Sequence, residues 1–167
     1  AISPLPDRPR SSVGVTNSGD ISAVSYFGGA GISAISSGQY GTASVSNSGN
    51  IYASQYTKYG YGAYGIVTSA DGDSSIDNSG SIDVVSAGVA EGATALSFAG
   101  DASVVNSGDI TVYSSAALGY SATGITAFAA NGNASVDNSG SVDASAKYWA
   151  SAVTASACAE AGRSLMA

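Results

Sequence analysis

The stretch Val15-Thr16-Asn17-Ser18-Gly19-Asp20-Ile21-Ser22-Ala23 decides the fold, because the chain repeats its pattern with little change. Its central Asn-Ser-Gly tripeptide occurs five times, at intervals of 30, 31, 28 and 32 residues. The asparagines and glycines of the five copies are Asn17, Asn47, Asn78, Asn106, Asn138, Gly19, Gly49, Gly80, Gly108 and Gly140. A period of this length indicates a repeat architecture, in which each repeat packs mainly on its neighbours.

The residues around each tripeptide alternate between apolar and polar side chains. Val or Ile stands two positions before each asparagine, and Ile or Val stands two positions after each glycine. Such alternation, rich in β-branched residues, is typical of strands with one buried face. A second motif, seen in Gly31-Ile32 and Gly65-Ile66, opens one more short strand in each period. The pattern therefore predicts three short strands per period, separated by turns.

We predict an all-β fold, a right-handed parallel β-helix (β-solenoid) of about five coils, with roughly 30 residues and three short strands per coil. Each strand would pair with its equivalent in the next coil, at a spacing of about 4.8 Å. The predicted solenoid covers residues 13–157. Residues 1–12 form a proline-rich segment that begins in mid-coil, and residues 158–167 form a C-terminal tail.

The Asn-Ser-Gly turn is interpreted as structural rather than catalytic. We expect its glycine to supply the positive φ of a sharp corner. Each asparagine has the same parity as the apolar residue two positions before it, so its amide should point inward. There it could bond to the next asparagine of a stacked ladder. The alternative is that each asparagine bonds only to the backbone of its own turn.

The composition excludes several classes of function. The chain of 167 residues contains 12 acidic and 5 basic residues and no histidine. Without histidine there is neither an imidazole base nor a histidine metal ligand, and the few basic residues offer little to nucleic acid or to an anionic membrane. We expect no cofactor, no nucleic-acid partner and no direct membrane insertion. The lone cysteine, Cys158, is expected to be a small buried side chain.

Aromatic residues gather at one corner of the predicted coil. The distance from each asparagine to the second motif runs 14, 18, 14, 18 and 14 residues, so every second coil carries four extra residues there. We call the following set the aromatic ridge: Tyr26, Phe27, Tyr56, Tyr59, Tyr61, Tyr64, Tyr120, Tyr148 and Trp149. Insertions on one face of a solenoid often mark its binding face, and Tyr and Trp contact sugars and proteins well. The alternative is that these rings cover small neighbours or seal a lateral contact between rods.

Two groups of acidic residues suggest chemistry but have simpler explanations. Asp71, Asp73 and Asp101 could offer oxygen ligands to calcium, but Asp beside Gly is an ordinary turn former, and we favour that interpretation. Asp77 and Asp83 flank one Asn-Ser-Gly corner in the manner of paired catalytic carboxylates, yet their parity points them outward. We interpret this pair as solvated acids and predict no enzymatic activity.

The repeat Val-x-Asn-Ser-Gly-x-Ile-x-Ala, alternating with Gly-Ile-x-Ala, resembles passenger regions of bacterial autotransporters and related large secreted adhesins. The resemblance spans Val13 to about Ala157. It implies export through the outer membrane and a location outside the cell or on the bacterial cell surface. That family includes adhesins, biofilm proteins and inert stalks. Its signal peptide and C-terminal membrane barrel are not recognised here, so we expect a fragment, a processed segment or a different protein that uses the same repeat.

The predicted function is therefore a non-enzymatic extracellular structural or adhesive solenoid. Uncapped solenoid ends expose unpaired strand edges and invite association. We expect the partner to be a second copy placed head to tail, which would build a filament, or the remainder of a longer solenoid. The alternative is a binding module that uses the aromatic ridge to hold a glycan or a surface protein.

Overall fold

The structure, a computed structural model, describes residues 11–57, 59–115 and 120–158, and the strands follow one another within these ranges in five coils of three. Coils 1 and 2 comprise β1 (Ser12–Asn17), β2 (Ile21–Ser25), β3 (Gly28–Ser36), β4 (Thr42–Asn47), β5 (Ile51–Gln55) and β6 (Gly62–Ala70). Coils 3 and 4 comprise β7 (Ser74–Asn78), β8 (Ile82–Ser86), β9 (Ala90–Ser97), β10 (Ala102–Asn106), β11 (Ile110–Ser114) and β12 (Ser121–Ala129). Coil 5 comprises β13 (Ala134–Asn138), β14 (Val142–Ala146) and β15 (Trp149–Ala157). Residues 1–10 and 159–167, which hold most of the predicted proline-rich segment and tail, lie outside the described residues.

Equivalent strands of successive coils pair in parallel and form three sheets. Their orders are β1-β4-β7-β10-β13, β2-β5-β8-β11-β14 and β3-β6-β9-β12-β15. This confirms the predicted all-β solenoid of about five coils, with three strands in each coil. Across the described residues, no helix has the length and apolarity needed to cross a bilayer.

The register of the sheets places like residues directly above one another. In the first sheet Asn17 pairs with Asn47, and Val15 pairs with Val45. The same columns continue through all five coils, because each later pair of strands keeps the equivalent register. A residue type that suits one coil therefore suits the next, which is why the repeat is so regular.

The core is a narrow column of small side chains along the solenoid axis. Among the described residues, every buried hydrophobic side chain is Ala, Val or Ile. The largest of them include Ile51, Ile82 and Ile110, which stack in one column of the second sheet. Each buried methylene contributes about 0.8 kcal/mol, so repetition of the column compensates for the scarcity of large side chains.

Burial decreases in the last described coil. The inward-facing Val153 of β15 is 44% exposed, whereas its equivalent in the preceding coil, Ile125, is 0% exposed. Cys158 is also exposed, although its backbone N–H donates to the carbonyl of Ala129 at 2.9 Å. The prediction that Cys158 is buried is wrong, because no later coil among the described residues covers this end.

The glycines of the Asn-Ser-Gly turns serve a different purpose from the one predicted. Among the described glycines only Gly62 has a positive φ, of 121°, so the expectation of positive φ in these turns is wrong. The reason for glycine is steric, because successive turns stack with almost no space between them. A Cβ atom at Gly49 or Gly80 would lie less than 3.0 Å from the carbonyl oxygen of the preceding turn.

The loops between the second and third strand of each coil differ in length as predicted. They span residues 56–61 in coil 2 and 115–120 in coil 4, but only 26–27, 87–89 and 147–148 in coils 1, 3 and 5. Every second coil therefore carries a longer loop at the same corner. Residue 58 and residues 116–119 of these loops lie outside the described residues.

Candidate functional site

The five repeated asparagines form a ladder that runs through all the coils. The Nδ2 of Asn17 donates to Oδ1 of Asn47 at 2.7 Å, and the same bond recurs at 2.7, 2.7 and 2.8 Å up to Asn138. Each Nδ2 also donates to the carbonyl of the glycine two residues on, at 2.6–2.7 Å. The inward ladder and the local turn bond therefore coexist, because a primary amide has two N–H groups.

The ladder has a direction, and its two ends differ chemically. In every step the donor belongs to the earlier coil and the acceptor to the later one. At the first coil, Oδ1 of Asn17 receives only the backbone N–H of Gly19, at a long 3.4 Å, among the described residues. At the last coil, Nδ2 of Asn138 donates only to Gly140, within the part of the chain described. One end thus offers an acceptor and the other an N–H donor.

A second, external ladder follows each Asn-Ser-Gly turn, and the sequence pattern did not reveal it. The Oδ1 of Asp20 accepts the backbone N–H of Asn50 at 3.1 Å, and Oδ1 of Asn50 accepts the hydroxyl of Ser81 at 2.7 Å. Likewise, Oδ1 of Asp109 accepts the backbone N–H of Ser141 at 3.1 Å. The signal was the short polar residue after every glycine, and three of these residues, Asp20, Asn50 and Asp109, accept a bond from the following coil.

The calcium candidates bond to backbone amides of neighbouring coils. The Oδ2 of Asp71 accepts the N–H of Tyr40 at 2.7 Å, and Oδ1 of Asp73 accepts the N–H of Asp101 at 2.9 Å. The Oδ1 of Asp101 in turn accepts the N–H of Asn133 at 2.7 Å. The residues that the structure describes contain no cluster of three or more acidic, Cys or His side chains able to hold a metal. These three carboxylates therefore link successive coils.

A buried glutamine anchors the corner that carries the aromatic ridge, and sequence analysis missed it. Gln55 is 1% exposed, and its Nε2 donates to the carbonyls of Tyr26, at 3.2 Å, and Thr57. Its Oε1 accepts the hydroxyl of Ser86 at 2.9 Å. Gln55 therefore ties the loops of coils 1 and 2 to coil 3. The sequence feature that could have indicated this role is a glutamine at an inward-facing position of a strand.

The aromatic ridge lies at the corner between the second and third strands. Tyr26, Phe27, Tyr56, Tyr59, Tyr61, Tyr148 and Trp149 are exposed, while Tyr64 and Tyr120 are partly buried. Coil 3 contributes only Ala87, Gly88 and Val89 at this corner. The ridge is therefore divided into an N-terminal cluster on coils 1 and 2 and a C-terminal cluster on coils 4 and 5.

Ring contacts and backbone hydrogen bonds hold the N-terminal cluster in place. The rings of Tyr26 and Phe27 meet edge to face, with centroids 4.9 Å apart. The backbone N–H of Tyr61 donates to the carbonyl of Phe27 at 2.7 Å, and the hydroxyl of Tyr64 donates to the carbonyl of Tyr61 at 3.1 Å. The Tyr61 side chain itself is 85% exposed, so its backbone is held by hydrogen bonds while its ring faces solvent.

Tyr64 differs from the other ridge residues because it is partly buried. Burial, together with the carboxylate of Glu91 on the next strand, raises the pKa of the Tyr64 hydroxyl above its ordinary value. The Glu91 carboxylate is held in turn by the hydroxyl of Thr94, which donates to Oε2 at 2.7 Å. We assign Tyr64 to supporting the loop rather than to contacting a ligand.

The C-terminal cluster borders a shallow pocket with mixed character. Tyr148 and Trp149 line it together with the hydroxyl-bearing residues Ser121, Thr123 and Ser151. An exposed indole beside several hydroxyls matches what a sugar ring needs, namely an apolar face and hydrogen-bond partners. The two clusters therefore differ, since only the C-terminal one combines rings with a polar-lined hollow among the pockets described.

The paired acids lie outside the aromatic ridge. Asp77 and Asp83 are exposed on β7 and β8, on either side of the Asn-Ser-Gly turn, and Asp137 and Asp143 repeat the arrangement in coil 5. Asp83 also lines a second shallow pocket, together with Asp20, Asn50 and Tyr52. Exposed carboxylates of this kind are well solvated.

We found no match to this chain among protein-family models, among curated proteins or among solved structures. The likeness of its repeat to autotransporter passengers remains a prediction from the residues.

Proposed function

We propose that this chain is a non-enzymatic structural β-solenoid of the bacterial surface or extracellular space, and that copies of it associate head to tail. The observation that carries the proposal is the direction of the asparagine ladder. Asn138 offers a free amide N–H at one end, and Asn17 offers an acceptor at the other, among the described residues. A second copy stacked in the same direction would bring these two groups together and continue the ladder.

The strand edges at the two ends support the same contact. β2 and β14 each contain 5 residues, and β3 and β15 each contain 9. Strands of equal length in equivalent positions can pair in parallel with the register seen inside the chain. Unpaired backbone groups on such edges favour addition of another strand.

Gly19 supports the proposal independently. A Cβ atom at Gly49, Gly80, Gly108 or Gly140 would lie less than 3.0 Å from the carbonyl oxygen of the preceding turn. A Cβ atom at Gly19 would meet no described atom within 4 Å. The described part of the single chain therefore does not require glycine at this position, but a chain with another coil beneath its first coil does.

Substitution of Gly19 by alanine tests the head-to-tail contact. We expect Gly19→Ala to leave the melting temperature of the isolated chain nearly unchanged and to weaken association strongly, because the new methyl group would press on the carbonyl of Gly140 in the preceding copy. Sedimentation velocity over a range of concentrations measures the association. Ser18→Ala, at an exposed position of the same turn, is the control and should associate like the wild type. Association of Gly19→Ala at wild-type strength would contradict the proposal.

Two features support the absence of enzymatic activity. The chain has no histidine, so serine hydroxyls lack their commonest general base. Asp83 lines a described pocket, but the basic residues that would bind an acidic sugar are not among that pocket's lining residues. The extracellular location is supported by the resemblance of the repeat to passenger regions, and it is proposed on that basis.

The second candidate function is glycan binding by the C-terminal cluster of the ridge, and the pocket beside Trp149 favours it. Trp149→Ala should abolish retention on a glycan array if the indole stacks on a sugar. Tyr113→Ala removes an exposed tyrosine from the face of the second sheet and is the matched control. Equal retention by the wild type and by Trp149→Ala would exclude this function for the pocket.

A further inference from the structure

The third strand of each coil carries a column of glycines that ends in an alanine. Equivalent positions in successive coils hold Gly31, Gly65, Gly92, Gly124 and Ala152. These positions lie next to the inward-facing column that begins with Ile32 and ends with Val153. The last coil alone departs from glycine among the five described coils.

Each glycine of the column is needed because of the coil that follows it. A Cβ atom at Gly31 would lie 2.8 Å from the carbonyl oxygen of Gly65 and closer still to the side chain of Ile51. A Cβ atom at Gly124 would lie 2.5 Å from the carbonyl oxygen of Ala152 and closer still to the side chain of Val142. The carbonyl belongs to the backbone of the next strand, so it cannot move away without disturbing the parallel pairing. Each described coil that another coil follows therefore has glycine here, and a larger residue would strain the pairing with the next coil.

Ala152 occupies this position at the end of the solenoid that would receive a second copy. With the register used inside the chain, the next copy would place Ile21 and the carbonyl of Gly31 over the methyl group of Ala152. Ile21 is the equivalent of Ile51, and Gly31 is the equivalent of Gly65. The ends of the asparagine ladder match. The conflict at Ala152 lies in the third sheet.

We propose that Ala152 is a steric limiter of head-to-tail association. Its methyl group prevents the third sheet from closing fully across the joint and so keeps the contact between copies weak and reversible. This inference rests on the proposed function, because it concerns the same contact between the last coil of one copy and the first coil of the next.

Ala152→Gly tests the limiter, because it restores the residue that all the earlier coils carry. Removal of such an overlap is expected to lower the dissociation constant for head-to-tail association about tenfold or more. The matched control is Ala150→Gly in the same strand. Its column also contains Ala63, Ala90 and Ala122, so the stacked coils accept alanine there. Sedimentation equilibrium of the full chain measures the three dissociation constants.

The outcomes separate the two proposals. The limiter is supported if Ala152→Gly associates more tightly than the wild type while Ala150→Gly does not. The gain should disappear in the double variant that also carries Gly19→Ala. Association of wild type and Ala152→Gly with equal strength overturns the limiter and leaves head-to-tail stacking intact. An equal gain in Ala150→Gly also overturns it, since the effect would then come from glycine in the strand. If neither the wild type nor Ala152→Gly associates, both proposals fail.

Discussion

The side-chain amide of Asn47 donates to Oδ1 of Asn78 at 2.7 Å, and this bond joins two coils inside the solenoid. Both side chains are buried, at 2% and 0% exposure, so neither amide can turn to water instead. The same contact repeats with one direction along the axis, and that direction makes the two ends of the chain complementary.

Asn78→Ala should lower the free energy of unfolding by about 3 kcal/mol, because it leaves the buried partners on Asn47, Gly80 and Asn106 without their bonds. Asn17→Ala removes the end member of the ladder, which has one coil neighbour among the described residues, and should cost about 1 kcal/mol. Urea denaturation measures both values. Equal losses in the two variants would show that the buried ladder does not strengthen the interior coils.

Gln55→Ala should destabilise the aromatic corner more than the rest of the fold. The substitution deprives Ser86 and the carbonyls of Tyr26 and Thr57 of a buried partner, with an expected cost of about 2 kcal/mol. Hydrogen exchange should become faster in residues 56–61. Gln39→Ala replaces an exposed glutamine and is the control. Unchanged exchange in this loop would contradict the anchoring role of Gln55.

Tyr64 should be a late tyrosine to ionise. Its folded pKa lies above the unfolded value, so the folded state holds the phenolic proton more tightly. The protonated Tyr64 hydroxyl therefore contributes to the free energy of unfolding. This contribution is complete below the unfolded pKa of about 10 and is lost as the pH rises through the folded pKa. Absorbance titration of wild type and Tyr64→Phe should differ in the most alkaline part of the curve. A difference that appears at the start of the titration would contradict the assignment.

Calcium should not stabilise the solenoid. Asp71, Asp73 and Asp101 already accept backbone amides from neighbouring coils, and this use of the carboxylates explains why aspartate occurs there. Melting curves in excess Ca²⁺ and in EDTA are expected to coincide. A higher melting temperature in Ca²⁺ that disappears in Asp73→Asn would show that the site binds the ion.

The overall fold could be predicted because the repeat is visible in the chain itself. The regular return of Asn-Ser-Gly gives the coil length, and period-2 parity correctly turns Asn47 inward. The role of Gly49 could not be predicted this way. The sequence shows that glycine recurs at this position. The reason is the close approach of stacked turns and not a positive φ, and this approach becomes visible only when the register of the coils is known.

The candidate site was predictable only in part, for a related reason. The corner that carries the aromatic residues follows from the insertion spacing. Its division into two clusters depends on which loops lie above one another, and the short loop at Gly88 separates them. Gln55 contacts Tyr26 and Ser86, which lie 29 and 31 positions away from it in the sequence. Such contacts arise when coils stack, so the residues on either side of Gln55 in the sequence do not predict them.

Negative-stain electron microscopy of the purified chain, over a range of concentrations, tests head-to-tail association. We expect rods one solenoid wide that lengthen with concentration, each copy adding five coils at about 4.8 Å per coil. Gly19→Ala should give only short particles under the same conditions. Isolated particles of one length at every wild-type concentration would contradict head-to-tail assembly.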